Sequence, residues 1–404
     1  MNTLESSSLR SYAQRAEAEL RENILPFWMR HAMDRERGGF HGEISNDLVV
    51  DRDASRGALL CSRILWTYSA AYRLYHDPSY LETARWAYHD LLDRFWDERY
   101  GGLFWEIAAD GTPLRTRKQI YGQAFGIYGL SEYYRATGDA AALHRAIALY
   151  HLIQEYSYDP QHKGYLEAYT REWQLEEDLR LSDVDMNEAK SMNTHLHITE
   201  AFTNLMRAWN DEGLRAAQSE LLGVMIERIV DPQTHHTILF FDEQWRRQSD
   251  HVSYGHDIEA SWLLVEAAEV LGDEALLART QVLAIEMARA TLAEGFDPDG
   301  GLIYESGPDG FLDAGREWWP QAEAVVGLIN AYQLSGEGGY LEAAFRSWDF
   351  IEAHLVDREH GEWFRAVSRD GQVSLDEPKV SFWKCPYHNA RACMETRERL
   401  RSFL

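Results

Sequence analysis

Hydrophobic and polar positions along this chain follow two periods in turn, and the alternation repeats. Long stretches place apolar residues at helical spacing; examples are LLCSRILWTYSAAYRLY (59–75) and SYLETARWAYHDLLDRFW (79–96), parted by the turn signal HDP. EWWPQAEAVVGLINAYQL (317–334) and GYLEAAFRSWDFIEAHL (339–355) make another such pair, parted by SGEGG. Between the pairs lies a short signature: an Asp, a few polar residues usually including Gly, then aromatic or aliphatic residues at strand spacing. It occurs six times, as DRERGGFHGEI from Asp34, DERYGGLFWEI from Asp97, DPQHKGYLEAY from Asp159, DPQTHHTILFF from Asp231, DPDGGLIYES from Asp297 and DREHGEWFRAV from Asp357. The spacings are 63, 62, 72, 66 and 60 residues.

Each interval holds two helices of ordinary length. With a helix near residues 8–33 opening the array and one near 387–403 ending it, the pattern predicts twelve helices. Closing the array on itself removes the apolar end that an open solenoid must cap. The expected fold is therefore all-α, an (α/α)6 barrel with short β-hairpins in its connecting loops, forming one catalytic domain over residues 1–404. Nothing in the sequence shows closure itself, so the open solenoid stays as the alternative.

Composition narrows the partners. The chain has 404 residues, 45% of them hydrophobic, enough for a large core; 40 basic against 66 acidic residues leave a formal charge of -26. Such a field repels nucleic acid and anionic membranes and suits a neutral substrate. The first residues, MNTLESSSLRS, contain no apolar targeting core, and no run approaches the roughly 20 apolar residues of a membrane span. A cytoplasmic protein is expected, as monomer or homodimer. Cys61, Cys385 and Cys393 have no CxxC spacing and read as buried free thiols.

Near the start of the helix that opens each pair stand residues that packing does not require. They are Arg63, Tyr121, Asn193 with His197, His256 with Glu259, Trp319 with Glu323, and Trp383 with His388. Six such places would ring one end of a barrel. In a helix Asn193, His197 and Glu200 share a face, whereas His195 points away from His197, so the HxH pair is a weak metal signal and no metal or cofactor is expected. His256 and Glu259 lie at i and i+3 near a helix start with Ser253 as candidate N-cap; the carboxylate is expected to fix the His256 tautomer. Trp319 and Trp383 offer flat faces suited to sugar rings. His235, His236 and His360 fall in turns and read as solvated.

The motifs SMNTHLH, GHDIEASW, WWPQAEA and FWKCPYHN, with RILWTYSAAYR near the start and GEWFRAV near the end, resemble the N-acylglucosamine 2-epimerase family along nearly the whole chain. The resemblance implies the (α/α)6 barrel and metal-free interconversion of sugars at C2 or between C1 and C2. It also implies a monosaccharide or oligosaccharide substrate, with preference for the reducing-end glucose or mannose of β-1,4-linked disaccharides such as cellobiose and lactose. Carried over by motif, His256 and His388 resemble the acid/base pair. Arg63, Asn193 and His197 would surround the open-chain oxygens, Tyr121 and Glu259 would support them, and Trp319 and Trp383 would bind sugar.

Two other readings remain open on the residues alone. An inverting glycoside hydrolase would use Glu259 and Glu323 as a carboxyl pair roughly 6.5 to 9.5 Å apart. A repeat scaffold would use the groove to bind protein, with no chemistry. Within the epimerase reading, returning the proton to C1 gives a ketose, so aldose-ketose isomerisation is the nearest alternative, followed by epimerisation of N-acylated sugars.

Overall fold

A computed structural model describes residues 3–401, with side chains from residue 8 onward. In chain order the helices are α1 (Thr3–Ala18, prolonged by further turns to Ala32), α2 (Ala58–Tyr75), α3 (Pro78–Asp90), α4 (Ile120–Thr137), α5 (Ala140–Leu152), α6 (Met192–Met206), α7 (Glu212–Val224), α8 (Tyr254–Leu271), α9 (Glu274–Glu294), α10 (Trp318–Ser335), α11 (Gly338–Phe350) and α12 (Tyr387–Arg401). The predicted boundaries at 59–75 and 79–96 fall within a residue of α2 and of α3 with its final π turn, Leu91–Phe95.

Even-numbered helices pack side by side in the order α2, α4, α6, α8, α10, α12, and α12 returns to touch α2; each odd-numbered helix backs an inner one, α1 covering α12. The array is thus a closed (α/α)6 barrel, and the open solenoid is excluded. Inner helices such as α4 and α10 are buried on nearly every side, which is why their sequences are apolar around the whole circumference. A two-residue connection joins each of several inner helices to its outer partner. His76, Gly138 and Gly272 end α2, α4 and α8 in the left-handed conformation, and Asp77, Asp139 and Asp273 follow at once, their carboxylates accepting N–H groups of α3, α5 and α9.

The six signatures form the opposite connections. The residue before each signature Asp is bridged across a tight turn (Met33 to Phe40, Trp96 to Leu103, Tyr158 to Tyr165, Val230 to Thr237, Phe296 to Leu302, Val356 to Trp363). Two residues before each of α2, α4, α6, α8 and α10 a short strand pairs antiparallel with the hairpin of the following repeat. Val380, ahead of α12, bridges Ile44 of the first hairpin and completes the rim.

The signature Asp has a double task. Five of the six make buried ion pairs with a cation leading into an inner helix: Asp34 with Arg56, Asp97 with Lys118 (3.0 Å), Asp159 with Lys190 (2.8 Å), Asp297 with Arg316, and Asp357 with Lys379. In Asp34, Asp97, Asp159, Asp231 and Asp357 the other carboxylate oxygen accepts N–H groups two and three residues on, which shapes the turn. The fourth repeat differs: Val252 stands where the others carry the cation, and Asp231 meets only Arg247, at 3.5 Å. The three cysteines are free and buried, as expected. No described helix is long and apolar enough to cross a membrane.

This arrangement predicts unequal costs. Lys190 is fully buried and also donates to the Lys163 and Glu243 carbonyls; Lys190→Met should cost about 3–5 kcal/mol in denaturant unfolding, because it strands Asp159. Arg247→Ala, at a half-exposed pair, should cost under about 1 kcal/mol. Equal losses would contradict the lock.

Candidate active site

At the hairpin end of the barrel a cavity of about 370 Å³ opens between the inner helices, within the size range of small-molecule sites. All of the residues expected from the sequence except Glu323 line it: Arg63, Tyr121, Asn193, His197, His256, Glu259, Trp319, Trp383 and His388. Glu323 lies directly behind, bonded to His388. All but Trp383, which lies in the segment just ahead of α12, stand in the first two turns of the inner helices, where the barrel faces its rim.

The two central histidines are held differently. His388 Nδ1 is 2.7 Å from Glu323 Oε1, and His256 Nδ1 is 2.8 Å from the Ser253 hydroxyl. Nε2 is then the nitrogen each ring offers to the cavity. Trp319 lies beside both, its ring 4.6 Å from His256 and 5.5 Å from His388. The expected His256–Glu259 bond is not formed. Glu259 Oε1 instead accepts from Arg391 at 2.6 Å, since at i+3 the carboxylate turns into the barrel axis. Ser253 occupies the N-cap position of α8, but its hydroxyl serves His256 rather than a backbone N–H.

Arg391 organises the floor. It donates to Glu200, Glu259 and Glu323, the last two at 2.6 Å from one guanidinium nitrogen, and the Tyr387 hydroxyl also bonds Glu200. Burial by itself would raise Glu200, but Arg391, His197 and Tyr387 outweigh it and hold its pKa down at about 2. Burial and the neighbouring Glu323 push Glu259 well up, and burial raises Glu323. One guanidinium cannot balance three buried carboxylates, so Glu259, whose Oε2 has no partner, is the one that keeps a proton. Trp262 donates to Glu323 Oε2 at 3.0 Å, which leaves Glu323 to accept from His388.

The remaining groups frame the cavity. Arg63 donates to the Tyr121 hydroxyl at 2.7 Å and stacks on Phe125; His197 Nδ1 lies 2.9 Å from Glu200. Arg63 Nε and Asn193 Oδ1 are buried without partners. Burial, reinforced by cationic and histidine neighbours, depresses His388 well below a free imidazole and His256 to about 3. Both rings therefore rest neutral, with a free lone pair.

Glu259, Glu323 and His388 each place one ligand atom within 4.8 Å of the others, a spacing that could hold an ion, but Arg391 already bridges both carboxylates. The same closeness is short of the roughly 6.5 Å that an inverting carboxyl pair needs for its water. His195 points elsewhere, accepting from the Tyr165 N–H and bonding the Ser191 carbonyl, so the HxH pair is no chelate. His236 is not solvated: it is buried between Asp257 (2.7 Å) and Glu294 (3.1 Å).

Several site residues are missing from the expected set. Arg391 stands three residues past His388 in FWKCPYHNAR but reads as an ordinary surface charge on the last helix. Leu181–Asp185, which cover one side of the cavity, come from the loop before α6. Their signal was the 72-residue interval between Asp159 and Asp231, the longest of the five. Tyr304, Glu317 and Arg365 add a polar wall from neighbouring hairpins.

Comparisons with known proteins agree with this fold. The family model for N-acylglucosamine 2-epimerase (GlcNAc 2-epimerase) matches residues 38–392. The chain is 48% identical over 383 residues to cellobiose 2-epimerase of Bacteroides fragilis, covering 95% of this chain and 97% of that one. Among solved structures, cellobiose 2-epimerase from Bacillus thermoamylovorans B4167 superposes with a TM-score of 0.92 at 39% identity, over 96% of this chain and 100% of that one. A D-mannose isomerase superposes with a TM-score of 0.84 at 21% identity, over 95% and 97%, a likeness of fold.

The charge assignment is testable by stability. Glu259→Gln replaces a neutral acid by a neutral amide and should change unfolding free energy by less than about 1 kcal/mol; Glu200→Gln strips Arg391 of its ionised partner and should cost about 3 kcal/mol or more near neutral pH. The Glu200 contribution should be present above the ordinary carboxylate range and fade as pH falls toward 2. A larger loss in Glu259→Gln than in Glu200→Gln would contradict it.

Proposed function

The chain belongs to the N-acylglucosamine 2-epimerase family and is a sugar 2-epimerase, an isomerase; from that premise we propose that it interconverts the reducing-end glucose and mannose of β-1,4-linked disaccharides, cellobiose and lactose among them. The disaccharide preference is supported by the 48% identity to a cellobiose 2-epimerase, against 26% to the N-acylglucosamine 2-epimerase of Bos taurus. The observation that carries the mechanism is the pair of neutral histidines, each tethered through Nδ1, flanking Trp319.

The C2 hydrogen of a closed sugar ring is not acidic; it becomes so once ring opening creates a carbonyl at C1. Opening requires one proton to move from the anomeric hydroxyl to the ring oxygen. A neutral imidazole can take it and hand it on, and the two histidines can share the task. One of them then removes the C2 proton, leaving a cis-enediolate, whose negative oxygen is stabilised by Arg63, with His197 beside it, and which becomes the cis-enediol on taking a proton at O1. The unpaired Arg63 Nε and Asn193 Oδ1 are a donor and an acceptor of the kind that open-chain oxygens would satisfy. Proton return to the other face of C2 gives the epimer, after rotation about C2–C3 or from the second histidine; return to C1 gives the ketose. Glu323 behind His388 stabilises an imidazolium there, a support that the Ser253 hydroxyl does not give His256. Tyr121 and Glu259 hold Arg63 and Arg391 in place, and Trp319 and Trp383 face the sugar.

His256→Asn and His388→Asn should each lower kcat on cellobiose by roughly two to four orders of magnitude with the helical circular dichroism unchanged. Wild-type rates in either folded variant would contradict the mechanism.

A further inference from the structure

The fourth repeat, which presents His256, lacks the cation lock of the other five and also departs from three of them at the helix start. At the fourth residue of their inner helices α4, α6 and α10 carry Gln123, His195 and Gln321, neutral side chains that bond the hairpin backbone at Leu103, Tyr165 and Leu302. Those side chains need room. A Cβ at Gly102 or Gly164, five residues after the signature Asp, would come within 2.9 Å of Gln123 or 2.6 Å of His195. In α8 the fourth residue is the shorter Asp257, and the fifth position after Asp231 is His236, whose ring fills the space. Asp257 is fully buried and accepts from the Thr237 N–H and hydroxyl, both at 2.7 Å, and pairs with His236 Nδ1 at 2.7 Å. The missing cation at Val252 and the added acid at Asp257 go together: the ion pair has moved one turn into the helix, and its cation has become titratable.

We propose that His236 is a positioning residue: paired with Asp257, it fixes the first turn of α8 and so the angle at which the preceding residue, His256, enters the cavity. The inference rests on the reading that His256 acts on the sugar. The groups facing His236 are Asp257 and Tyr254 from α8 and Glu294 from the end of α9. Burial opposes its charge, and Asp257 with Glu294 outweighs burial, so its pKa stands above that of a free imidazole. His236 therefore carries its charge below the raised pKa and loses it as pH rises through it. Asp257 then keeps only neutral partners, and the first turn of α8 loosens.

The test is the pH profile of kcat/KM for cellobiose in the unaltered protein, Glu294→Gln and His236→Gln. Glu294 is half-exposed, on the outside of the pair and away from the cavity, so its change leaves the fold and the rate on the acid side of the alkaline limb intact. Losing that carboxylate should move the alkaline limb to lower pH by about half a unit. His236→Gln, which keeps a hydrogen bond but cannot charge, should lower the rate and abolish that limb while leaving the acid limb in place. It should also unfold more easily than the unaltered protein at pH 6, with the difference shrinking by pH 9. An alkaline limb unmoved in both variants, or none in the unaltered protein, overturns the inference. Absence of any epimerisation or C2 exchange by the unaltered protein would instead overturn the proposed function, and this role with it.

Discussion

One guanidinium facing three buried carboxyls is the constraint on which the rest of this site depends. Arg391 from the last helix draws in Glu200 from α6, Glu259 from α8 and Glu323 from α10, so one side chain ties four of the six inner helices at the level of the reacting groups. Because two carboxylates more than balance it, one proton must stay on the cluster, and Glu323 is the carboxyl that links it to a histidine. The same oxygen that accepts from Arg391 also accepts from His388. Any charge that develops on His388 is thus felt by the whole floor, and the floor cannot rearrange without opening the barrel. This is preorganisation in a physical sense: the dipoles and charges that would stabilise an imidazolium are already paid for by folding.

Closure of the barrel is what makes the cluster possible. α12 packs against both α10 and α2 with α1 behind it, so the chain's two ends are joined at the helix that supplies Arg391 and His388. The hairpin ring, locked by buried Asp–cation pairs, fixes the entry of each inner helix, and the cavity lies against the first two turns of those helices. The fourth repeat shows how far the lock can change, exchanging a permanent cation for a histidine just where α8 presents His256.

Much of this was legible from the residues, because it depends on local spacing. Six Asp-led signatures at near-equal intervals gave the helix count, and the helix starts picked out Arg63, Tyr121, Asn193, His197, His256, Glu259, Trp319, Trp383 and His388, half of the residues that line the cavity. What failed was pairing across helices. The i, i+3 spacing of His256 and Glu259 is a real neighbour relation, yet Glu259 finds a stronger partner in Arg391, 132 positions away. Arg391 itself, one of 40 basic residues, has no local mark. His236 looked solvated since its turn sequence is polar; its burial follows from the absence of a longer side chain at position 257, which only the folded repeat comparison reveals.

The central claim, that neutral histidines move the C2 proton of a disaccharide, is tested most directly by proton NMR of the protein with cellobiose in deuterated water. The account predicts that deuterium enters C2 as a mannose-type anomeric signal grows, giving glucosyl-mannose. Formation of the epimer without any solvent deuterium at C2 even after many turnovers, or no exchange at any sugar position, would contradict it.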